Sequence, residues 1–150
     1  MTIHVIYGTE TGNSEMVADD LVEALEGETE AFAHDMADFD IVELDADDFV
    51  IVISSTYGEG ELPNSAQPFF DKLEQQAPDL SDLTFATFGL GDSFYETFNQ
   101  GSQIIADKLR ELGATEIGER GVHDASSGEL PGDVALDWLK GVLESQRMAS

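Results

Sequence analysis

Hydrophobic and polar positions along the chain follow two periods, one typical of buried strands and one typical of helices. Five short segments are rich in apolar and β-branched residues, which is the pattern of strands in a parallel sheet. In four other segments, apolar residues recur at helical spacing with polar residues on the opposite face. The pattern predicts strands at 2–7, 29–34, 49–54, 83–89 and 115–122, and helices at 15–26, 65–76, 100–112 and 134–143.

The order of these elements predicts the fold. Strands that alternate with helices form a parallel sheet, and right-handed crossovers place the helices on both of its faces. The continuous apolar run 49–54 suits a central strand that is covered on both sides. Gly113 follows the third helix, where we expect a left-handed C-terminal cap. We therefore predict one five-stranded α/β domain over residues 1–150, with no assignment for the acidic segment 35–48.

Three polar, glycine-containing segments follow the first, third and fourth predicted strands. Ligands of doubly wound sheets bind outside the carboxyl ends of the strands, where the strand order reverses. We therefore expect the three segments to converge on one crevice. They comprise residues 9–14, 55–61 and 90–99.

The first of these segments is rich in neutral hydrogen-bond donors. A helix that begins here presents unpaired backbone N–H groups at the positive end of its dipole, which favours an anion. The absence of lysine and arginine suits a terminal phosphate monoester better than a triphosphate with magnesium. A simple N-terminal helix cap is the alternative interpretation. The segment consists of Thr9, Glu10, Thr11, Gly12, Asn13 and Ser14.

The second and third segments contain one tyrosine each, Tyr57 and Tyr95. Aromatic side chains on two facing loops can enclose a planar ring, although either tyrosine could instead cover the edge of the core. Gly58, directly after Tyr57, permits two orientations of its own peptide. A phosphate site at one end and two aromatic side chains at the other indicate a flavin mononucleotide, FMN.

Taken together, these motifs resemble those of short-chain flavodoxins and of the FMN-binding domains of cytochrome P450 reductase and sulfite reductase. The first segment matches the family pattern S/T-x-T-G-x-S/T, and the resemblance runs from the first strand to the last helix. It implies a flavodoxin-like fold with bound FMN, with Tyr57 on one face of the flavin ring and Tyr95 on the other. It also implies that Ser55 and Thr56 help to hold the phosphate and that Asp124 lies near the flavin. The matching residues outside the first segment are Ser55, Thr56, Tyr57, Gly58, Glu59, Gly60, Gly89, Leu90, Gly91, Asp92, Tyr95, Glu96, Phe98 and Asn99.

The cysteine and histidine content limits which redox, catalytic and metal-binding groups the chain can contain. The chain has no cysteine, which excludes disulfides, thiolate catalysis and iron–sulfur clusters. Its three histidines, His4, His34 and His123, are spread along the sequence, which disfavours a multi-histidine metal site. Redox chemistry therefore requires an organic cofactor.

The charge is extreme, because 32 acidic residues face six basic ones and the formal net charge is −26. Such a field repels nucleic acid and anionic membranes. Two explanations stay open: attraction of a basic redox partner, or adaptation to a salty cytoplasm. No apolar run is long enough to cross a bilayer, and the N-terminus lacks a signal-peptide pattern, so we expect a cytoplasmic protein without membrane insertion.

The resemblance implies a low-potential carrier that passes one or two electrons between proteins and transforms no substrate. No NADPH-binding segment follows, so we expect a separate NAD(P)H-dependent flavodoxin reductase or another redox protein as donor, and an acceptor with a basic docking face. One alternative is an FMN-dependent quinone or flavin reductase, which needs room for a substrate beside the ring. Another is a receiver-like signalling domain, which needs carboxylates after the first and third strands, where Tyr7, Gly8, Ser54 and Ser55 stand instead.

Overall fold

The fold is a parallel β-sheet with helices on both faces. It is seen in a computed structural model that describes residues 2–8, 13–26, 30–36, 48–55, 66–77, 79–81, 83–91, 100–117, 121–124 and 130–149. The strands are β1 (Thr2–Gly8), β2 (Glu30–Asp35), β3 (Phe49–Ser55), β4 (Thr84–Gly91), β5 (Thr115–Glu116) and β6 (Gly121–Asp124). The helices are α1 (Asn13–Leu25), α2 (Ala66–Gln76), α3 (Gln100–Glu111) and α4 (Pro131–Ala149).

The strand order is β2-β1-β3-β4-β5 and every pairing is parallel, which confirms the predicted fold class. The fifth position is shared, because β5 pairs with the start of β4 and β6 pairs with its end. The prediction of one uninterrupted strand at 115–122 is therefore wrong. Thr84 is opposite Thr115 and Phe88 is opposite Gly121. Between these two pairs the chain advances by six residues in the fifth position and by four residues in β4. The registers of β5 and β6 against β4 therefore differ by two residues.

Alternation along the central strands divides the core into two layers. In β3, Phe49, Ile51 and Ile53 pack with α1 and α4 on one face of the sheet. Val50 and Val52 pack with α2 and α3 on the other face. All five side chains are fully buried, as expected for a strand covered on both sides.

The end of α3 has the predicted left-handed cap. Gly113 has a φ of 109°, its N–H donates to the carbonyl of Arg110, and the N–H of Ala114 donates to the carbonyl of Leu109. This is the Schellman arrangement, which satisfies carbonyls that the helix leaves unpaired. By contrast, α4 begins at Pro131 rather than at the predicted 134, because proline is well suited to the first turn of a helix.

Across the described ranges, no helix combines the length and the apolar character that a membrane span requires.

Candidate functional site

The carboxyl ends of four strands form one edge of the sheet. The register aligns Gly8 of β1 with Ser54 of β3, Ser54 with Gly89 of β4, and Gly89 with Val122 of β6. Neighbouring strands are about 4.8 Å apart, so this row spans roughly 14 Å. A row of that length can support a ligand the size of a mononucleotide.

This edge is stepped, because the strands do not end in the same row. β1 ends at Gly8, β3 continues by one residue to Ser55, and β4 and β6 continue by two to Gly91 and Asp124. Two residues of strand correspond to about 7 Å. The edge is therefore low at β1 and β3 and rises towards β4 and β6.

The low part of the edge is also the point at which the strand order reverses. From β1 the chain first adds β2 on one side and then places β3 on the other. Open α/β sheets bind their ligands at such a switch point, and flavodoxin is one of the proteins for which this rule is known.

Helix α1 begins directly at this switch point. Only four residues separate Gly8, at the end of β1, from Asn13, the first residue of the 13-residue helix. The first backbone N–H groups of the helix are therefore available near the carboxyl end of a central strand. Asn13 and Ser14 lie in this first turn, as the phosphate-site hypothesis requires.

The third predicted segment begins later than expected. Leu90 and Gly91 belong to β4 and not to a loop, since β6 gives the end of β4 a partner as far as the pair Gly91 and Asp124. The Leu90 side chain is 6% exposed and packs in the core layer of α1 and α4. Leu90 is therefore a core residue beneath the edge, and the segment that leaves this strand starts at Asp92.

The described residues contain five further members of the predicted site, and all lie at this edge or beside it. They are Asn13 and Ser14 at the start of α1, Ser55 at the end of β3, Gly91 at the end of β4 and Asp124 at the end of β6. The other predicted members lie outside the described residues: Thr9, Glu10, Thr11, Gly12, Thr56, Tyr57, Gly58, Asp92, Tyr95, Phe98 and Asn99.

Sequence analysis assigned no role to His123, which lies in the penultimate row of the edge. It is opposite Leu90, immediately precedes Asp124, and is 7% exposed. A lone histidine in a short polar strand carries no sequence pattern, so only the register reveals its position.

The residues at the start of α1 fit a phosphate monoester. Within the described part of the chain, no group of three or more histidine, aspartate or glutamate residues is placed to hold a metal ion. α1 begins with Asn13 and Ser14, which are neutral hydrogen-bond donors by residue type, and the first backbone N–H groups of a helix have no partner within it. The ends of β1 and β3 carry Gly8, Ser54 and Ser55, and not the carboxylates that a phosphorylated receiver needs.

Residues 5–138 match the family model described as flavodoxin. Protein MioC from Escherichia coli K12 is 34% identical over 139 residues, covering 91% of this chain and 92% of that protein. The sulfite reductase flavoprotein alpha-component of Bacillus subtilis is 35% identical over 144 residues, covering 95% of this chain. The chain spans only 23% of that reductase and 20% of human NADPH–cytochrome P450 reductase, to which it is 35% identical.

Among solved structures, a cysteine-to-alanine mutant of flavodoxin from Pseudomonas aeruginosa superimposes with a TM-score of 0.84 and 32% identity. The match covers 93% of this chain and 95% of that one. A short-chain flavodoxin associated with a bacterial microcompartment superimposes with a TM-score of 0.78 and 28% identity. The resemblance inferred from the motifs is therefore confirmed.

Proposed function

Because the chain belongs to the flavodoxin family, we propose that it is an electron carrier that binds one FMN non-covalently at the carboxyl edge of its sheet. The observation that supports this most directly is the start of α1 at the β1/β3 switch point, with neutral donors in its first turn. A terminal phosphate placed there is stabilised by hydrogen bonds and by the helix dipole.

The proposed roles of the binding residues follow their chemistry. The segment from Thr9 to Ser14 holds the phosphate, with additional hydroxyl donors from Ser55 and Thr56. Tyr57 and Tyr95 cover the two faces of the flavin ring, and the peptide after Gly58 lies at its edge. The end of the sheet and the segment after it supply the remaining contacts, from Gly91, Asp92, Phe98, Asn99 and Asp124, and from the backbone of Leu90, whose side chain packs in the core.

Bound FMN would supply the ability to accept and return one or two electrons. This chain's contribution is to exclude water from the ring faces and to set the potentials through the charges around them. Reduction adds negative charge inside a protein of formal net charge −26, which is electrostatically unfavourable. We therefore expect low potentials, as a carrier that reduces other proteins needs.

We further propose that the donor and the acceptor are both proteins. With a tyrosine on each face, the ring has little room for a substrate, which favours transfer through its exposed edge over an enzymatic reaction. The acidic surface favours partners with a basic docking face and a cytoplasmic setting. Rapid NADPH oxidation with quinone or free flavin by the FMN-loaded protein alone would instead support a reductase enzyme.

The first experiment tests the phosphate site with Thr11→Ala. A hydrogen bond to a charged phosphate contributes about 1.5–3 kcal/mol, so FMN affinity should fall by at least about tenfold. Riboflavin lacks the phosphate, and its affinity should change little. Fluorescence titration of both ligands measures this difference.

Thr115→Ala is the matched control, since this exposed threonine begins β5, away from the carboxyl edge. It should leave both affinities unchanged. Equal losses of FMN and riboflavin affinity in Thr11→Ala would contradict the assigned phosphate site. Failure of the wild-type protein to bind FMN at all would overturn the proposed function.

A further inference from the structure

His123 is a buried ionisable side chain at the edge that we assign to the cofactor. Its side chain is 7% exposed, and it lies opposite Leu90 in the row directly before Gly91 and Asp124. Histidine changes its charge between about pH 5 and pH 8. A histidine at this edge can therefore couple the binding of a proton to reduction of the cofactor.

The register fixes the face on which the imidazole lies. Gly121 precedes His123 by two residues, and a Cβ at Gly121 would meet Phe88 and Trp138, both in the layer of α1 and α4. Residues two apart in a strand point to the same face. The His123 side chain therefore packs on the α4 side of the sheet, beside Leu90.

Among the described elements, β4 and α4 pack most extensively against β6. β4 contains no ionisable residue, and Asp124 follows His123 on its own strand. The ionisable residues of α4 whose side chains are described all point to solvent: Asp133, Asp137, Lys140 and Glu144.

The sequence places no basic residue in the segments that leave this edge. Residues 9–12, 56–65, 92–99 and 125–129 contain neither lysine nor arginine. These segments therefore supply no permanent positive charge to compensate reduction of the cofactor, whereas His123 is a buried side chain at this edge that can acquire one.

We propose that His123 binds a proton when the cofactor is reduced and thereby raises the reduction potential at acidic pH. This inference rests on the proposed function. The electron comes from a reduced donor protein and the proton comes from solvent to a ring nitrogen of His123, while no covalent bond to the cofactor forms or breaks. The imidazolium attracts the added negative charge, and by linkage the reduced cofactor increases the proton affinity of His123 by the same factor.

The direct test follows His123 by NMR in the FMN-loaded wild-type protein, oxidised and then reduced with dithionite. We expect the proton affinity of His123 to rise at least threefold on reduction, while those of His4 and His34 stay unchanged. A threefold change corresponds to about 28 mV, taking 59 mV for each tenfold change of a one-electron couple. Unchanged titration of His123 in the two states would overturn the proposal.

The second test compares potentials of the wild-type protein and His123→Gln from pH 5.5 to pH 9. The wild-type potential for the second electron should lie above that of the variant at pH 5.5, and the two should converge by pH 9. His34→Gln is the matched control, because His34 lies on the edge strand β2, and its potential should follow the wild type throughout.

The outcomes separate this proposal from the proposed function. A constant offset between wild type and His123→Gln at all pH values refutes the proton link but leaves the FMN carrier intact. Absence of FMN binding by the wild-type protein refutes both. Should the variant fail to fold, the NMR measurement on the wild type still decides the question.

Discussion

At the scale of single residues, His4 and His34 form a hydrogen-bonded pair away from the candidate site. Nδ1 of His4 lies 3.2 Å from Nε2 of His34, and their stacked rings are 5.3 Å apart. The other nitrogen of His4 lies 3.3 Å from a carboxylate oxygen of Asp48. The pair therefore connects edge strand β2 to β1, and through Asp48 to the residue before β3.

This contact depends on protonation. When at least one ring is neutral, one nitrogen donates and the other accepts, whereas two imidazolium rings have no acceptor and repel each other. Burial and the nearby His4 lower the pKa of His34 from its ordinary value of 6.5. Because the pKa of His34 is lower in the folded state, the stability that the neutral His34 contributes is fully present above pH 6.5. This contribution is lost as pH falls through the folded-state pKa.

We therefore expect His34→Gln to flatten the pH dependence of stability. The free energy of unfolding of the wild type should fall relative to the variant between pH 7 and pH 5. Glutamine retains hydrogen-bonding groups but cannot become charged, and the paired comparison cancels the titration of the many carboxylates. Urea unfolding of both proteins over this range measures the effect, and parallel pH profiles would contradict it.

At the scale of elements, the contact between β6 and α4 requires a glycine at position 121. The rings of Phe88 and Trp138 lie 5.3 Å apart, and a Cβ at Gly121 would lie 2.5 Å from Phe88 and 2.6 Å from Trp138. Close packing of both rings against the strand backbone therefore holds α4 on the sheet.

Gly121→Ala should destabilise the protein by about 1–3 kcal/mol, the usual cost of an overpacked core. Gly141→Ala, in the exposed face of α4, is the control, since a Cβ there meets no atom within 4 Å. That substitution should stabilise the helix by about 0.5–1 kcal/mol, because alanine loses less backbone entropy. Chemical unfolding curves that show the same sign of change for both variants would refute this account.

The same elements show how much of the fold could be predicted from the sequence alone. The run from Phe49 to Ile53 predicted a central strand because its apolar pattern is local. Gly113 predicted the left-handed cap of α3 for the same reason. The end of β4 was placed too early, because Leu90 pairs with both Ser55 of β3 and His123 of β6, and Gly91 pairs with Asp124 of β6. Such ends depend on tertiary partners, which a local pattern does not contain.

For the candidate site, chain order and motifs predicted that the segments after β1, β3 and β4 converge on one crevice. The register places the ends of these strands side by side, whereas the segments themselves lie outside the described residues. The stepped edge and the position of His123 were beyond the sequence, since both depend on which residues of different strands lie opposite one another. The contacts that Thr11, Tyr57 and Tyr95 make with a cofactor stay predictions.

At the scale of the whole molecule, the charge distribution opposes folding. Helix α1 shows this most clearly, since Glu15, Asp19 and Glu23 are exposed and spaced by four residues, with no basic residue in the helix. Like charges at this spacing destabilise a helix by about 0.2–0.5 kcal/mol per pair. Screening of such repulsions should make the unfolding temperature rise with salt concentration.

Asp19→Lys tests this explanation, because it converts two repulsive pairs in α1, with Glu15 and with Glu23, into attractive ones. We expect a gain of about 1 kcal/mol in unfolding free energy at low ionic strength, summed over the two pairs. The gain should shrink at molar salt, where the Debye length is about 3 Å. Asp19→Asn, which only removes the repulsion, should give about half of the gain.

Stability that is independent of salt in all three proteins would show that self-repulsion is unimportant. The acidity would then be better explained by attraction of basic partners, which a steep fall of electron-transfer rate with ionic strength would reveal.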